Sequence, residues 1–254
     1  MNTDPISDRE AADTTAQAPL APALYLFPVP LSDGTLHHVI PDANIAILRR
    51  VRHFAVENVR SARRFLRAAD RSISIDSLSF VVLDEHTPPE AVPPMIQPLL
   101  DGHPMGIISE AGCPAVADPG ALLVAEAQRR SIPVIPLVGP SSILLALMAS
   151  GFNGQSWAFA GYLPIDPSAR RARLSEMTRR ILREGQTQIF IETPYRNNRL
   201  IADLAASLSP DLLLCVASDV TGSRQSIITR PLRQWRTATY DYDKIPTIFL
   251  LHSR

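Results

Sequence analysis

Ser109-Glu-Ala-Gly-Cys-Pro-Ala-Val-Ala-Asp-Pro-Gly120 is the stretch from which the fold is read. It follows a short apolar run, Met105 to Ile108, and precedes an amphipathic segment from Ala121 to Arg130. A strand, a tight loop and a helix in that order mark the place where open α/β sheets put their ligands. Gly112 and Gly120 let the backbone approach a bound molecule closely, and Pro114 and Pro119 stiffen the turn. Glu110 and Asp118 supply carboxylates able to receive an ammonium group or a ribose hydroxyl. The stretch is either a ligand loop or a plain strand–helix connection. It lacks Gly-x-x-x-x-Gly-Lys, and Gly-x-Gly-x-x-Gly is absent from the chain, so neither a phosphate cradle nor a dinucleotide fingerprint is present.

Working outward, short apolar runs alternate with longer amphipathic segments. Ala23 to Val29 reads as a strand. Asp42 reads as the cap of a helix whose apolar positions Ile45, Leu48, Val51 and Phe54 fall at helical spacing. Phe54 to Glu57 also reads as a short strand, followed by a helix through Phe65. Leu78 to Leu83 and Ile132 to Leu137 read as strands, and Pro89 to Leu100 as a helix. Ser141 or Ser142 opens the apolar helix Ile143 to Ala149, which stops at Gly151. Such alternation predicts a mostly parallel sheet covered on both faces.

Beyond Gly151 to Ser156 the pattern changes. Trp157 to Leu163 and Gln188 to Glu192 read as strands flanking a helix from Pro167 to Arg183, and Tyr195 to Leu208 as another helix. Leu212 to Ala217, Gln225 to Thr229 and Thr247 to Leu251 are strands without long helices between them, which predicts antiparallel pairing. The expectation is an α/β protein of two α/β domains: a disordered tail over 1–22, a mostly parallel N-terminal domain over 23–152, and a mixed-sheet C-terminal domain over 153–254.

The 254 residues carry 25 basic and 25 acidic groups and are 46% hydrophobic, which excludes disorder throughout. Lys244 is the only lysine, so arginine supplies the other basic groups. Two cysteines, Cys113 and Cys215, cannot build a disulfide framework, and free thiols in a reducing compartment are expected. No apolar run is long enough for a membrane helix, and the acidic start is unlike an export signal. The chain is expected to be cytoplasmic.

Two further loops end at the same edge of the anticipated sheet: Pro28-Val-Pro-Leu31, and Val138-Gly-Pro-Ser-Ser142, whose serines either cap the following helix or bond a small ligand. Leu26-Phe-Pro-Val-Pro30, Val56-Glu-Asn-Val-Arg60, Ser109 through Gly120, Gly139-Pro-Ser-Ser142, Phe159-Ala-Gly-Tyr-Leu-Pro164 and Glu192-Thr-Pro-Tyr-Arg196 occur in that order. Together they resemble the tetrapyrrole methylase superfamily, and within it the ribosomal RNA small-subunit methyltransferase I family. The resemblance covers roughly residues 23–252.

It implies a tetrapyrrole methylase-like fold that binds S-adenosylmethionine between two domains, a homodimer, and methyl transfer to a cytidine ribose 2′-oxygen. Carried over by position, it implies cofactor contacts from Leu31, Glu110, Gly112, Cys113, Ser142, Ile143, Ile191 and Thr247. Departures fall mainly toward the substrate side: Asn58 stands where the family has aspartate, and Lys244-Ile-Pro replaces its terminal Lys-Gly-Glu.

Transfer to a hydroxyl needs a proton acceptor. Glu57 and Glu192 are the candidates, or they form ion pairs with Arg60 and Arg196, which could instead hold a substrate phosphate. Between Asn44 and Arg71 stand eight arginines against two carboxylates, and between Arg170 and Arg183 six against one. Each stripe is either an RNA-backbone contact or a solvated helix face. The acceptor is RNA ribose, a tetrapyrrole or another small molecule, or the chain binds without turnover.

Overall fold

A computed structural model describes residues 19–253. Most of the tail expected over 1–22 therefore lies outside the described residues.

The first half builds a parallel five-stranded sheet from β1 (Leu24–Phe27), β2 (His53–Val56), β3 (Ser79–Val82), β4 (Met105–Ile108) and β5 (Val134–Pro136), in the order β3-β2-β4-β1-β5. Between them run α1 (Leu36–Val39), α2 (Asp42–Leu48), α3 (Val59–Ala69), α4 (Val92–Met95), α5 (Gln97–Leu100) and α6 (Gly120–Arg129). The central strand β4 is buried throughout, and Gly106 is required there. A Cβ at that position would stand 2.8 Å from the rings of both Phe27 and Phe54. Those rings meet at 6.1 Å between centroids, and Phe80 extends the stack. Because all strands are parallel, the connections after β1, β2 and β4 leave from one carboxyl edge.

The second half forms a mixed sheet from β6 (Trp157–Tyr162), β7 (Thr187–Ile191), β8 (Leu213–Ser218), β9 (Ser226–Pro231) and β10 (Thr247–His252), in the order β6-β7-β10-β8-β9. Strands β6 and β7 pair in parallel, and the remaining pairs are antiparallel, as the missing long crossovers predicted. Helices α8 (Pro167–Glu184) and α9 (Asn197–Ser207) cover one face through Leu174, Met177, Ile181, Leu200 and Leu204. The opposite face is covered by α7 (Ser142–Ser150), whose Ile143, Ala146 and Leu147 pack with Ile189, Ala217, Ile248 and Leu250. Helix α7 thus follows the first sheet in sequence and packs on the second.

Three elements differ from the sequence reading. Helix α2 is capped by Pro41, with Asp42 as its first residue, and it ends at Leu48; Phe54 belongs to β2. The apolar spacing continues across the break because short buried strands and helix faces share it. Pro89 to Leu100 is not one helix but a 3-10 turn and two short helical pieces. Pro93, Pro94 and Pro98 each lack the N–H that a continuous helix would use. Strand β9 runs to Pro231 and leads into a short helix, α10 (Leu232–Trp235), which the sequence reading did not include.

Candidate active site

The carboxyl edge of the first sheet is a set of interlocked loops. Val29 and Gly112 exchange backbone hydrogen bonds of 3.0 and 3.1 Å, joining the loop after β1 to the loop after β4. Gly112 has φ +71°, and a Cβ there would come within 3.1 Å of the Leu31 side chain. The Cys113 thiol donates to the Pro140 carbonyl at 3.4 Å, and burial pushes its pKa up. Gly139 lies against Pro28, where any Cβ would overlap the proline ring at 2.2 Å. The glycines and prolines of these loops are thus needed for close packing between loops.

Between Ser109 and Gly120 the chain winds tightly enough that Ala115 and Ala117 also take left-handed φ values, 65° and 55°. Conformations of that kind cost on the order of 1 kcal/mol each and persist only where neighbours impose them. Asp118 Oδ1 imposes this one by accepting hydrogen bonds from the Ala115 and Gly120 amides at 3.1 and 2.6 Å.

The other oxygen, Asp118 Oδ2, is buried with no donor. Glu57, the residue after β2, faces it and accepts a hydrogen bond from the Glu110 amide at 3.4 Å. Burial, the hydrogen bond with Asp118 and the charges of Asp118 and Glu110 push the Glu57 carboxyl up to about 7. A proton on Glu57 gives Asp118 Oδ2 its missing donor. Among the described residues, no arginine, lysine or histidine forms an ion pair with Glu57, Glu110 or Asp118.

Apolar residues lie close by. Leu31, Ile143 and Ile191 share one cluster with Ile189, Ala217, Val220 and Ile248. Ser141, rather than Ser142, caps α7, accepting from the Leu144 amide at 3.4 Å. Ser32 Oγ donates to Asp219 Oδ1 at 2.8 Å, tying the loop after β1 to the turn after β8. Thr247, at the start of β10, is buried and turned back on the Ile245 carbonyl at 2.9 Å. Asp118 and the Ser32–Asp219 contact complete the edge. Neither pairing could be read from sequence, because each joins distant segments.

Glu192 lies elsewhere. Side chains alternate along a strand, so Ile191 joins the α7 face and Glu192 the α8–α9 face. There its buried carboxylate accepts from Arg196 at 2.6 and 3.0 Å and from the Thr193 amide at 2.8 Å. Arg170 stands 3.7 Å away on its other side. These groups border a cleft of about 440 Å³ floored by Leu174 and Leu200. Arg60 is exposed at the start of α3, with its amide bonded to the Asn58 side chain. The structure therefore brings Leu31, Glu57, Glu110, Gly112, Cys113, Ile143 and Ile191 toward one edge and leaves Glu192 and Arg196 on another face.

No family model matches the chain. A ribosomal RNA small subunit methyltransferase I of Xylella fastidiosa is 32% identical over 213 residues, covering 80% of this chain and 75% of that protein. The protein of that name from Mesorhizobium japonicum is 34% identical, with 85% and 69% covered, and the one from Vibrio cholerae serotype O1 is 29% identical, with 91% and 77% covered. Among solved structures, the methyltransferase CobJ superposes with a TM-score of 0.61 at 16% identity, covering 91% of this chain and 94% of its own. Diphthine synthase superposes with a TM-score of 0.60 at 13% identity, covering 91% and 89%. These likenesses establish the tetrapyrrole methylase-like fold, and the sequence relatives establish the rest: this chain is a methyltransferase and belongs to the ribosomal RNA small subunit methyltransferase I family.

Proposed function

We propose that the chain transfers the methyl group of S-adenosylmethionine to a ribose 2′-oxygen of ribosomal RNA, at the carboxyl edge of the first sheet. The observation that carries this reading is the cluster of Glu57, Glu110 and Asp118, three carboxylates that no basic side chain among the described residues neutralises. A cationic cofactor suits such a cluster, and the apolar surface of Leu31, Ile143 and Ile191 suits the flat, weakly polar parts of the same molecule. Gly112, Cys113, Ser142 and Thr247 contribute close backbone approach and small polar groups around it. When bound, the cofactor supplies an electrophilic methyl on a sulfonium.

The protein's part is alignment and proton removal. The interlocked loops hold the reacting groups in one geometry, which lowers the entropic part of the barrier. Glu57, titrating near neutrality, takes the proton from the ribose hydroxyl; an acceptor matched to the working pH is the most effective kind. Asp118, fixed by two amides, keeps that carboxyl poised. Arg60, three residues on, pairs with the phosphate of the acceptor nucleotide. Glu192 serves as a positioning residue that holds Arg170 and Arg196. The cofactor lies between domains 23–152 and 153–254, and the working form is a cytoplasmic homodimer.

The experiment is methyl transfer from labelled S-adenosylmethionine to small-subunit ribosomal RNA and to small ribosomal subunits, followed by mapping of ribose methylation. Label on one ribose 2′-oxygen is the expected result. Label on a base, or none despite calorimetric binding of the cofactor, overturns the acceptor assignment. No cofactor binding overturns the whole reading.

A further inference from the structure

Helix α3 begins two residues after Glu57. Its buried residues are Ala62, Leu66 and Ala69, so one face of the helix packs inward. Arg60, Arg64 and Arg67 recur at the same helical spacing on the opposite side, and Arg71 follows in the turn after the helix, all four exposed. Arg63 is otherwise engaged, lying over the Phe80 ring at 5.6 Å. Arg64, Arg67 and Arg71 surround a single open hollow of about 570 Å³ floored by Ala68.

What sets this row apart is the absence of counter-charge among the described residues. Helix α3 contains no carboxylate. The nearest acid, Asp70, is taken by Arg49 and by the Ser72 amide, and these hydrogen bonds hold it at about 2. Among the described residues, no carboxylate forms an ion pair with Arg60, Arg64, Arg67 or Arg71. Helix α8 differs: Glu176 takes Arg173 and Arg180 at 2.7 and 2.8 Å, and Glu192 and Asp203 take Arg170. Like charges one turn apart cost a few tenths of a kcal/mol per pair, so the α3 row does not stabilise the helix that carries it.

We propose that α3 is a track for the RNA backbone, carrying the strand toward Glu57, with the Arg64–Arg67–Arg71 hollow holding a phosphate remote from the reacting nucleotide. The assignment rests on the ribosomal RNA reading above. Arg60 and Arg67 lie about 10 Å apart along the helix axis, and Arg71 follows in the turn beyond Ala69, a span that meets successive phosphates. Guanidinium groups bind phosphate oxygens bidentately. The outer face holds Ser61 and Ala68 between the arginines and no large apolar anchor, a composition suited to phosphodiesters and poor for a protein interface.

The test is fluorescence anisotropy with a labelled single-stranded fragment of small-subunit ribosomal RNA, titrated across salt concentrations. Comparison is between the full chain, R64Q/R67Q/R71Q, and R173Q/R180Q on α8 as control. Removing three phosphate contacts is expected to reduce the slope of log affinity against log salt by about 2 and to weaken low-salt binding at least tenfold. R173Q/R180Q is expected to match the parent. Cofactor affinity and Tm of the triple variant should also match the parent, so that lost binding is not lost folding. An unchanged slope and affinity in the triple variant overturn the track, while a parent that still methylates RNA preserves the activity. Failure of the parent to bind RNA overturns both. Equal displacement of the RNA by polyglutamate of the same length overturns the phosphodiester assignment in favour of an acidic protein surface.

Discussion

The carboxyl edge of the first sheet and the α8–α9 face of the second contain the same kinds of charged side chain, arranged oppositely. On the α8–α9 face each principal carboxylate has its arginine: Glu192 with Arg170 and Arg196, Glu176 with Arg173 and Arg180, Asp203 with Arg170. At the first edge the two signs are kept apart. Among the described residues, Glu57, Glu110 and Asp118 stand together without a cation, and Arg60, Arg64, Arg67 and Arg71 line the adjacent helix and the turn after it without an anion. Charge satisfied internally serves the fold; charge left unsatisfied near a loop-lined edge is available to a ligand, and a carboxyl such as Glu57, its pKa raised by burial and by its acidic neighbours, is a mark of chemistry. The same contrast separates Glu57 from Glu192, which the sequence presented as equal candidates.

Substitution at the two glutamates separates the regions most sharply. Glu57→Gln keeps the shape and removes the proton acceptor. It is expected to lower the rate of methyl transfer by about 10²–10⁴-fold, measured under single turnover at saturating cofactor, with cofactor affinity by calorimetry weakened by the loss of one carboxylate from the cluster. Glu192→Ala is expected to do the reverse. It leaves Arg170 and Arg196 partly buried without their shared anion, a loss on the order of 3 kcal/mol in chemical denaturation, while each folded molecule keeps a rate within tenfold of the parent's. An inactive but fully stable Glu192→Ala protein would mean that the second face takes part in the chemistry.

A smaller effect concerns stability against pH. The folded pKa of Glu57 lies above its unfolded value, so between about 4.5 and about 7 the native state binds more protons than the unfolded state at this site. This group's contribution to stability therefore falls as pH rises through that window. Glu57→Gln is expected to match the parent in Tm near pH 4 and to exceed it near pH 8. A parent-like Tm at both pH values would mean that the carboxyl is not strained by its neighbours.

Much of the first sheet was legible because its signals are local. The loop from Ser109 to Gly120 announces its strand and helix by glycine and proline placement, and the alternation of apolar runs announces parallel strands. The arginine spacing of α3 could be counted directly. The failures had physical causes of two kinds. Val51 and Phe54 continue the apolar spacing of α2 although the chain has already turned into β2, because a short buried strand looks like a helix face. Pro93, Pro94 and Pro98 break a segment whose apolar content suggested one helix. In the site, partners set by long-range packing stayed hidden. Asp118 closing on Glu57, Ser32 reaching Asp219, and Arg170 crossing to Glu192 each join segments at least 22 residues apart. Strand alternation at Ile191 and Glu192 then decided which of the two faced the apolar cluster and which faced the arginines.

The role of Glu57 as proton acceptor is tested most directly by the pH dependence of kcat/KM for methyl transfer to small-subunit ribosomal RNA, in the parent and in Glu57→Gln. The parent's kcat/KM is expected to rise with pH to a plateau, with a midpoint near 7, and the residual rate of Glu57→Gln to lack this inflection. The same inflection persisting in Glu57→Gln would contradict that role, because the group that takes the proton would then lie elsewhere.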